Sequence, residues 1–576
     1  MPSETLMKAL TDRQNAQVGS STGSSLEELK KSTAEIDEKF RGTKQYEILD
    51  TKEPGIYKTV ETPKHQQYRH ELMKAALGHP IQMNPISMRK ASLSTSSNLY
   101  GYDLRAPSLH LVPWLSPLRE TLPRVHRSPS ATTANWKYIN PANFTRGGFP
   151  SVPFINEGQR APLQQLTFLN GSAAYASIGV DSSVTFEEES ASQNFEDALA
   201  TSTFFALENL MVKEEDSLVG ADKTLKLGTA NTPSESTTGS GSFTGTFYAA
   251  VVGLTYEGYR NFTQGSGTAL TQTLSITTPD GKPMQVNGGC GILSAISSAA
   301  SPSSSVSATF AVVPKNGEVA WLWYIGTSAS TAVMYLQGVT TVPSYVLTAA
   351  ATATGQLASV LAATDYSVND GTTGGGANQV TGFDGFLTQT FTNSVASPVN
   401  AYVKNLAGGT LTSSGAGGVV EIDAMLFYLW NTFKTTVDVL WVNAQELKNI
   451  TKKVLNGSSS PLLRFNKDAD SGEYDMTGSG TISYYYNPYI PGGRKITVMV
   501  HPTLPPGTIM AYAKTLPPYF KTNATPNVAE VLTRRDYYAQ EFAITSREYP
   551  HGVYAEEVLA VYFPPSLGII CGVADG

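Results

Sequence analysis

Seven histidines (65, 70, 80, 110, 126, 501 and 551) and two cysteines, Cys290 and Cys571, are where metal or nucleophilic chemistry would first be sought in this 576-residue chain. The histidines never fall into HExxH or another tight ligand spacing, and the cysteines are too few and too distant for a zinc site or a disulfide framework. They read as buried free thiols. Gly281-Lys282 is followed by Pro283 rather than a hydroxyl residue, so it lacks the ending of a phosphate-cradling loop. The run Glu187, Glu188, Glu189 stands just before a predicted helix, where carboxylates meet the positive end of the dipole and need no catalytic role. "RRDYY" (534–538) and "YYYNPY" (484–489) have the makeup of a base-stacking surface, yet Arg and Tyr are equally enriched in protein interfaces. The net charge of −7 favours the interface, because a nucleic-acid reader needs a positive stripe. The expectation is a protein that is not an enzyme, with no cofactor and no metal.

What must position these residues is a chain of two to four domains. Its start, MPSETLMKALTDRQ, lacks a basic region followed by an apolar one, which leads to the expectation of a cytoplasm-made protein. A bilayer crossing needs roughly 20 apolar residues and the best run, "AMLFYLW" at 424–430, is about a third of that. No membrane partner is expected.

The stretch "DLRAPSLHLVPWLSPLRETLPRV" (103–125) is apolar but carries Pro107, Pro113, Pro117 and Pro123. Prolines at that spacing remove donors and fix φ, so neither a continuous helix nor a central strand is possible. It reads as an extended strap whose Leu109, Trp114, Leu118 and neighbours cover another surface, expected to be that of an adjacent copy. Upstream, residues 1–88 are charged and mixed in sign; Leu26, Leu29, Thr33, Ile36 and Phe40 have the spacing of a short amphipathic helix at 24–40, the alternative being a solvated, partly disordered tail. Residues 134–189 alternate apolar and polar positions with Gly and Pro punctuation, and Asn170-Gly171 is a hairpin signal. That pattern is a long two-stranded excursion ending in a Gly/Pro-rich tip.

From Ser190 to Asp216 there is no Gly or Pro, Ser190 and Gln193 have capping-box spacing, and apolar residues lie on more than one face. This is the expected spine helix. Between 221 and 420 only fourteen of two hundred residues are charged, and short β-branched and aromatic runs recur about every ten residues. An antiparallel sandwich is expected over 240–350, with Trp321 and Trp323 in its core. Helical and then strand-like segments follow from 421, so the low-charge block is an insertion in an α+β frame.

Taken in order, "PLRETLPRV", "NWKYI", "RGGFPSVPFINEGQRAP", "SVTFEEESASQNFEDALA", "EEDSLVGADKTLKLGT" and "LTRRDYYAQEF…YPHGVYAEEVLAVYFPPSLGII" resemble the major capsid protein of tailed bacteriophages, the Hong Kong ninety-seven type fold shared with herpesvirus capsid floors. The resemblance covers about 89–230 and 421–576. It implies a charged, scaffold-like N-terminal extension (1–88), an N-arm (89–135), an E-loop (136–189) and a peripheral domain with the spine helix (190–239). It further implies an immunoglobulin-like insertion (240–350), an axial domain (351–480) and peripheral return strands (481–576). Pentamers and hexamers would close into an icosahedral virion shell around double-stranded DNA, assembled in the host bacterial cytoplasm. Partners would be other copies, a portal protein, a scaffold or cement protein, and nearby DNA without sequence-specific binding.

Inter-subunit contact candidates are Leu109, Trp114, Leu118, Arg119, Arg124, Arg146, Glu157, Arg160, Arg534, Arg535 and Tyr537. Some members of the family crosslink an E-loop lysine to a neighbour's asparagine, but no lysine occurs between Lys137 and Lys213, so a noncovalent shell is expected. The rival reading is a non-viral β-rich surface protein or adhesin that binds glycans through the sandwich.

Overall fold

The computed structural model describes residues 46–50, 57–61, 102–103, 115–127, 132–139, 154–160, 168–192, 197–373, 378–395, 400–415, 417–455, 465–467, 474–476, 482–517 and 527–576. The chain divides into two compact units, Met1–Ser97 and Asn98–Gly576. In the first, β1 (Tyr46–Asp50) and β2 (Tyr57–Glu61) form an antiparallel hairpin. The amphipathic helix expected at 24–40 lies outside the described residues.

The second unit mixes helix and sheet. It begins with β3 (Tyr102–Asp103), α1 (Pro117–Thr121), β4 (Arg124–His126), β5 (Thr133–Ile139), β6 (Phe168–Ala174), β7 (Ala176–Thr185), α2 (Phe186–Ser192) and α3 (Ala198–Gly220). The proline strap thus contains one helical turn, which Pro117 can open because the first turn needs no donor there. Leu118 and Leu122 sink into the core of their own chain and not onto another copy. Residues 104–114 lie outside the described set.

β5 and β6 pair antiparallel from Thr133↔Ala174 to Ile139↔Phe168, which is the two-stranded excursion. Asn170-Gly171 is not its turn. Gly171 sits mid-strand opposite Trp136, and a Cβ there would lie 2.5 Å from the indole Nε1. The glycine makes room for a ring rather than for a bend.

The spine begins later and ends later than its sequence pattern suggested. Asp197, not Ser190, caps α3, accepting from the Ala200 N–H at 3.0 Å, and the helix runs for 23 residues, about 34 Å, to Gly220. Glu187, Glu188 and Glu189 occupy the first turn of the separate α2. Phe204 and Phe205 of α3 stay exposed, so this helix is not covered on all sides within one chain.

The low-charge block holds β8 (Ser234–Phe243), β9 (Tyr248–Leu254), α4 (Tyr256–Gln264), β10 (Thr273–Thr277), β11 (Pro283–Asn287), β12 (Ser305–Ala311), β13 (Ala320–Gly326), β14 (Met334–Thr340) and β15 (Ser344–Leu347). Two three-stranded antiparallel sheets, β15-β12-β8 and β14-β13-β9, face each other across Phe247, Phe310, Trp321, Trp323 and Ile325. The intervening Ala320, Leu322 and Tyr324 pack on the opposite side with Phe262 of α4 and Cys290. Every residue of β13 is therefore buried, as befits a strand in a middle layer.

The frame resumes with α5 (Phe386–Ser394), β16 (Tyr402–Asn405), α6 (Val420–Phe433), β17 (Val439–Val442), α7 (Ala444–Leu455), β18 (Phe465–Lys467), β19 (Tyr474–Met476), β20 (Tyr484–Asn487), β21 (Arg494–Val500), β22 (Ile509–Tyr512), β23 (Ala529–Glu541), β24 (Glu548–Val561) and β25 (Leu567–Cys571). Six strands, β16-β25-β22-β17-β21-β20, make a mixed sheet with α6 packed on it. A second sheet, β3-β23-β24-β7 with β4 also on β23, carries α3 on one face. Strands 484–512 thus share a sheet with 439–442, so a boundary at residue 480 cuts through one sheet. Sheet partners, and not sequence order, decide which strands belong together.

Candidate assembly surfaces and the buried knot behind them

α3 shows buried apolar residues at Leu207, Leu210 and Met211, a helical stripe that faces Tyr537, Val553 and Ala555 of the β23-β24 sheet, and at Leu218, which continues it into the main core. Glu214 and Glu215 fall in the same stripe and are fully buried. A carboxylate carried into a core must be met by charge or donors. Arg119 and Arg124, on α1 and β4, meet Glu214.

Arg119 Nε donates to Glu214 Oε2 at 3.0 Å and to the Tyr537 hydroxyl at 2.7 Å. Arg124 donates to Glu214, to Asp536 Oδ1 at 2.9 Å and to Glu557 Oε2 at 2.9 Å, and its guanidinium lies 4.5 Å from the Tyr537 ring centroid. Tyr537 in turn donates to Glu214. Burial alone would lower the Arg124 pKa, but Glu214 and Glu557 hold it well above its ordinary value. Burial pushes Glu214 up, and Arg124 and Arg119 outweigh it, leaving the carboxyl below its usual range. Glu215 accepts the Leu118 and Arg119 amides at 2.8 and 2.7 Å and meets His501 Nε2 at 2.7 Å.

Leu118, Arg119, Arg124 and Tyr537, proposed from sequence as contacts with other subunits, are thus consumed inside one chain. Leu109, Trp114 and Arg146 lie outside the described residues. Arg534 pairs with Glu556. Arg535 is exposed, 4.8 Å from the Tyr538 ring centroid, on the sheet face away from α3. There Tyr554 lies flat: a Cβ on Gly179 would come within 2.3 Å of its ring, and one on Gly552 within 2.8 Å.

Glu157 and Arg160 are exposed on the tip described at 154–160. The tip is a tight turn, closed by the Gln159 amide on the Asn156 carbonyl at 3.1 Å and made possible by Gly158 at φ 78°. It holds Phe154 at 85% exposure and Ile155 at 55%. Large apolar side chains at that exposure want a partner.

A groove of about 510 Å³ runs between β7 and α3, lined by Val180, Asp181, Ser182, Glu188, Thr201 and Phe205 among others. Its charged lining is acidic. Residues that sequence reasoning missed are Glu214, Glu215, His501 and Glu557. The two helix residues carried a signal, since they fall in phase with the buried stripe; His501 and Glu557 did not.

Among the described residues no group of three or more His, Cys, Asp or Glu side chains is arranged to hold a metal, and no helix is long and apolar enough to cross a membrane.

No protein-family model matches the chain, and no curated protein matches it. Among solved structures, the holo-SrpI encapsulin complex of Synechococcus elongatus PCC 7942 aligns with 85% of this chain and 95% of its own, at 8% identity and a TM-score of 0.34. The capsid of the native GTA particle aligns over 84% and 95% at 8% identity and 0.35, and the cyanophage A-1(L) capsid over 84% and 99% at 10% and 0.35. Capsid particles recur among the aligned structures.

Proposed function

We propose that this chain is the major capsid protein of a tailed bacteriophage, a structural subunit that self-assembles as pentamers and hexamers into an icosahedral shell around double-stranded DNA. What supports the reading most directly is the tip at 154–160. A two-stranded excursion holds Phe154 and Ile155 in solvent, which a monomer has no reason to do and a repeating assembly does. In this reading β5–β6 is the E-loop, the sheet with α3 is the peripheral domain, the six-stranded sheet is the axial domain, and the facing three-stranded sheets are the immunoglobulin-like insertion. The tip of one copy rests in the β7–α3 groove of the next, Phe154 against Phe205 and Arg160 toward Glu188. A portal protein and a scaffold or cement protein are further partners, and the packaged DNA lies nearby without sequence-specific contact.

Negative-stain electron microscopy of the overexpressed chain, with and without residues 1–88, tests this. Closed shells or capsomer rings from the full chain support the capsid reading. A monodisperse monomer in both samples overturns it in favour of the glycan-binding surface protein.

A further inference from the structure

Glu557 is fully buried on β24. Its Oε2 accepts from Arg124 at 2.9 Å, while Oε1 is buried and meets no donor among the described residues. Glu214 and Glu557 sit on the same Arg124 guanidinium, Glu214 at one terminal nitrogen and Glu557 at the other. One guanidinium carries one charge, so two fully buried carboxylates that share it are relieved when one of them takes up a proton.

The charges facing this pair are Arg119 and Arg124 from α1 and β4, Asp536 and Tyr537 from β23, and, behind Glu214 on α3, Glu215 with His501. Two guanidinium groups confront Glu214, Glu557 and Asp536, so full ionisation leaves excess negative charge in a water-poor site. We propose that Glu214 and Glu557 form a proton-binding site, and that its proton fastens the 116–126 arm to the spine helix and sheet of its own subunit. Loss of the proton sets two buried carboxylates against each other at the point where Arg124 joins arm, helix and sheet.

The direction of the effect follows. Burial, and then the Glu214 charge, raise Glu557 to about 8, above its ordinary value of 4.5. The closed arm binds the proton more tightly than the open one, so its hold is full in acid and is lost as pH rises toward 8. Arm opening is expected to rise by up to about tenfold per pH unit between pH 5 and 8 and to level off above.

Two measurements on the full chain test this without reference to assembly. The wild-type minus Glu557→Gln infrared difference should show at pH 6.5 the carbonyl stretch of one further protonated buried carboxyl, over those of Asp222, Glu257 and Glu446, and that difference band should be lost by pH 9. Hydrogen exchange at the Leu118 and Arg119 amides, corrected for intrinsic rates, should accelerate from pH 5 to 8 in the wild type and stay flat in Glu557→Gln. Absence of that difference band overturns the proposal, and so does a flat wild-type exchange profile, which needs no folded variant. Because neither readout involves shell formation, a failed capsid reading leaves the site intact, and the reverse holds equally.

Discussion

His501 Nε2 lies 2.7 Å from Glu215 Oε1 with both side chains fully buried, and this bond ties the segment after β21 to the spine helix. The same carboxylate accepts the amides of Leu118 and Arg119. One side chain thus collects three donors from two distant segments. Replacing Glu215 by Ala strands all three, and a loss of about 3–5 kcal/mol is expected in denaturant unfolding. Asp and Gln variants should retain part of that stability. A loss below about 1 kcal/mol for Glu215→Ala would mean that the knot is not a structural joint.

Gly179 lies beneath the Tyr554 ring without needing an unusual backbone angle, so the reason for glycine there is space. Gly179→Ala is expected to cost about 1–3 kcal/mol by forcing the ring off the sheet. With Tyr554→Ala in the background most of that cost should vanish, and a double-mutant cycle reads the coupling. Additive losses would show that the ring is not what excludes the side chain.

Asp222, where the chain enters the low-charge block, is raised to about 9 by burial and then by nearby Asp384, Glu257 and Asp365, against the Leu225 amide. Its folded pKa lies above its ordinary 3.8, so the stability it contributes is full in acid and is lost as pH rises toward 9. Asp222→Asn should therefore gain on the wild type progressively between pH 5 and 9. Thermal melts across that range give the answer, and a constant difference would refute it.

Arg160 on the tip and Glu188 in the β7–α3 groove carry opposite charge. Arg160→Glu should abolish shell formation while leaving the circular-dichroism spectrum unchanged, and adding Glu188→Arg should restore particles. Normal shells from Arg160→Glu alone would place the tip elsewhere on the neighbour. Phe154→Asp should also block assembly.

In the capsid reading, particles boiled in detergent should run as a single monomer band. No lysine lies between Lys137 and Lys213 to supply a crosslink from the β5–β6 excursion. A ladder of covalent multimers on the gel would contradict this.

Much of the fold was legible because it depends on near neighbours. The spine helix, the two-stranded excursion and the buried Trp321 and Trp323 announce themselves through local periodicity. Helix ends were less legible: Ser190 and Gln193 offered a capping pattern, yet Asp197 does the capping. Asn170-Gly171 misled for a related reason, since a glycine that yields to Trp136 looks like one that makes a turn.

The sequence by itself determined the alternation of elements, the charge-poor block within an α+β frame, and an apolar strap too rich in proline for one continuous helix or a central strand. Tertiary structure decided what the strap's charges do. Arg119 meets Tyr537 across 418 positions and Arg124 meets Glu557 across 433. Local pattern carries no information at such separations, so an arginine destined for a buried carboxylate reads like one destined for another subunit. Burial then settles the matter, because a carboxylate brought into a core by its helix phase must draw its counter-charge from whichever strand the fold lays beside it.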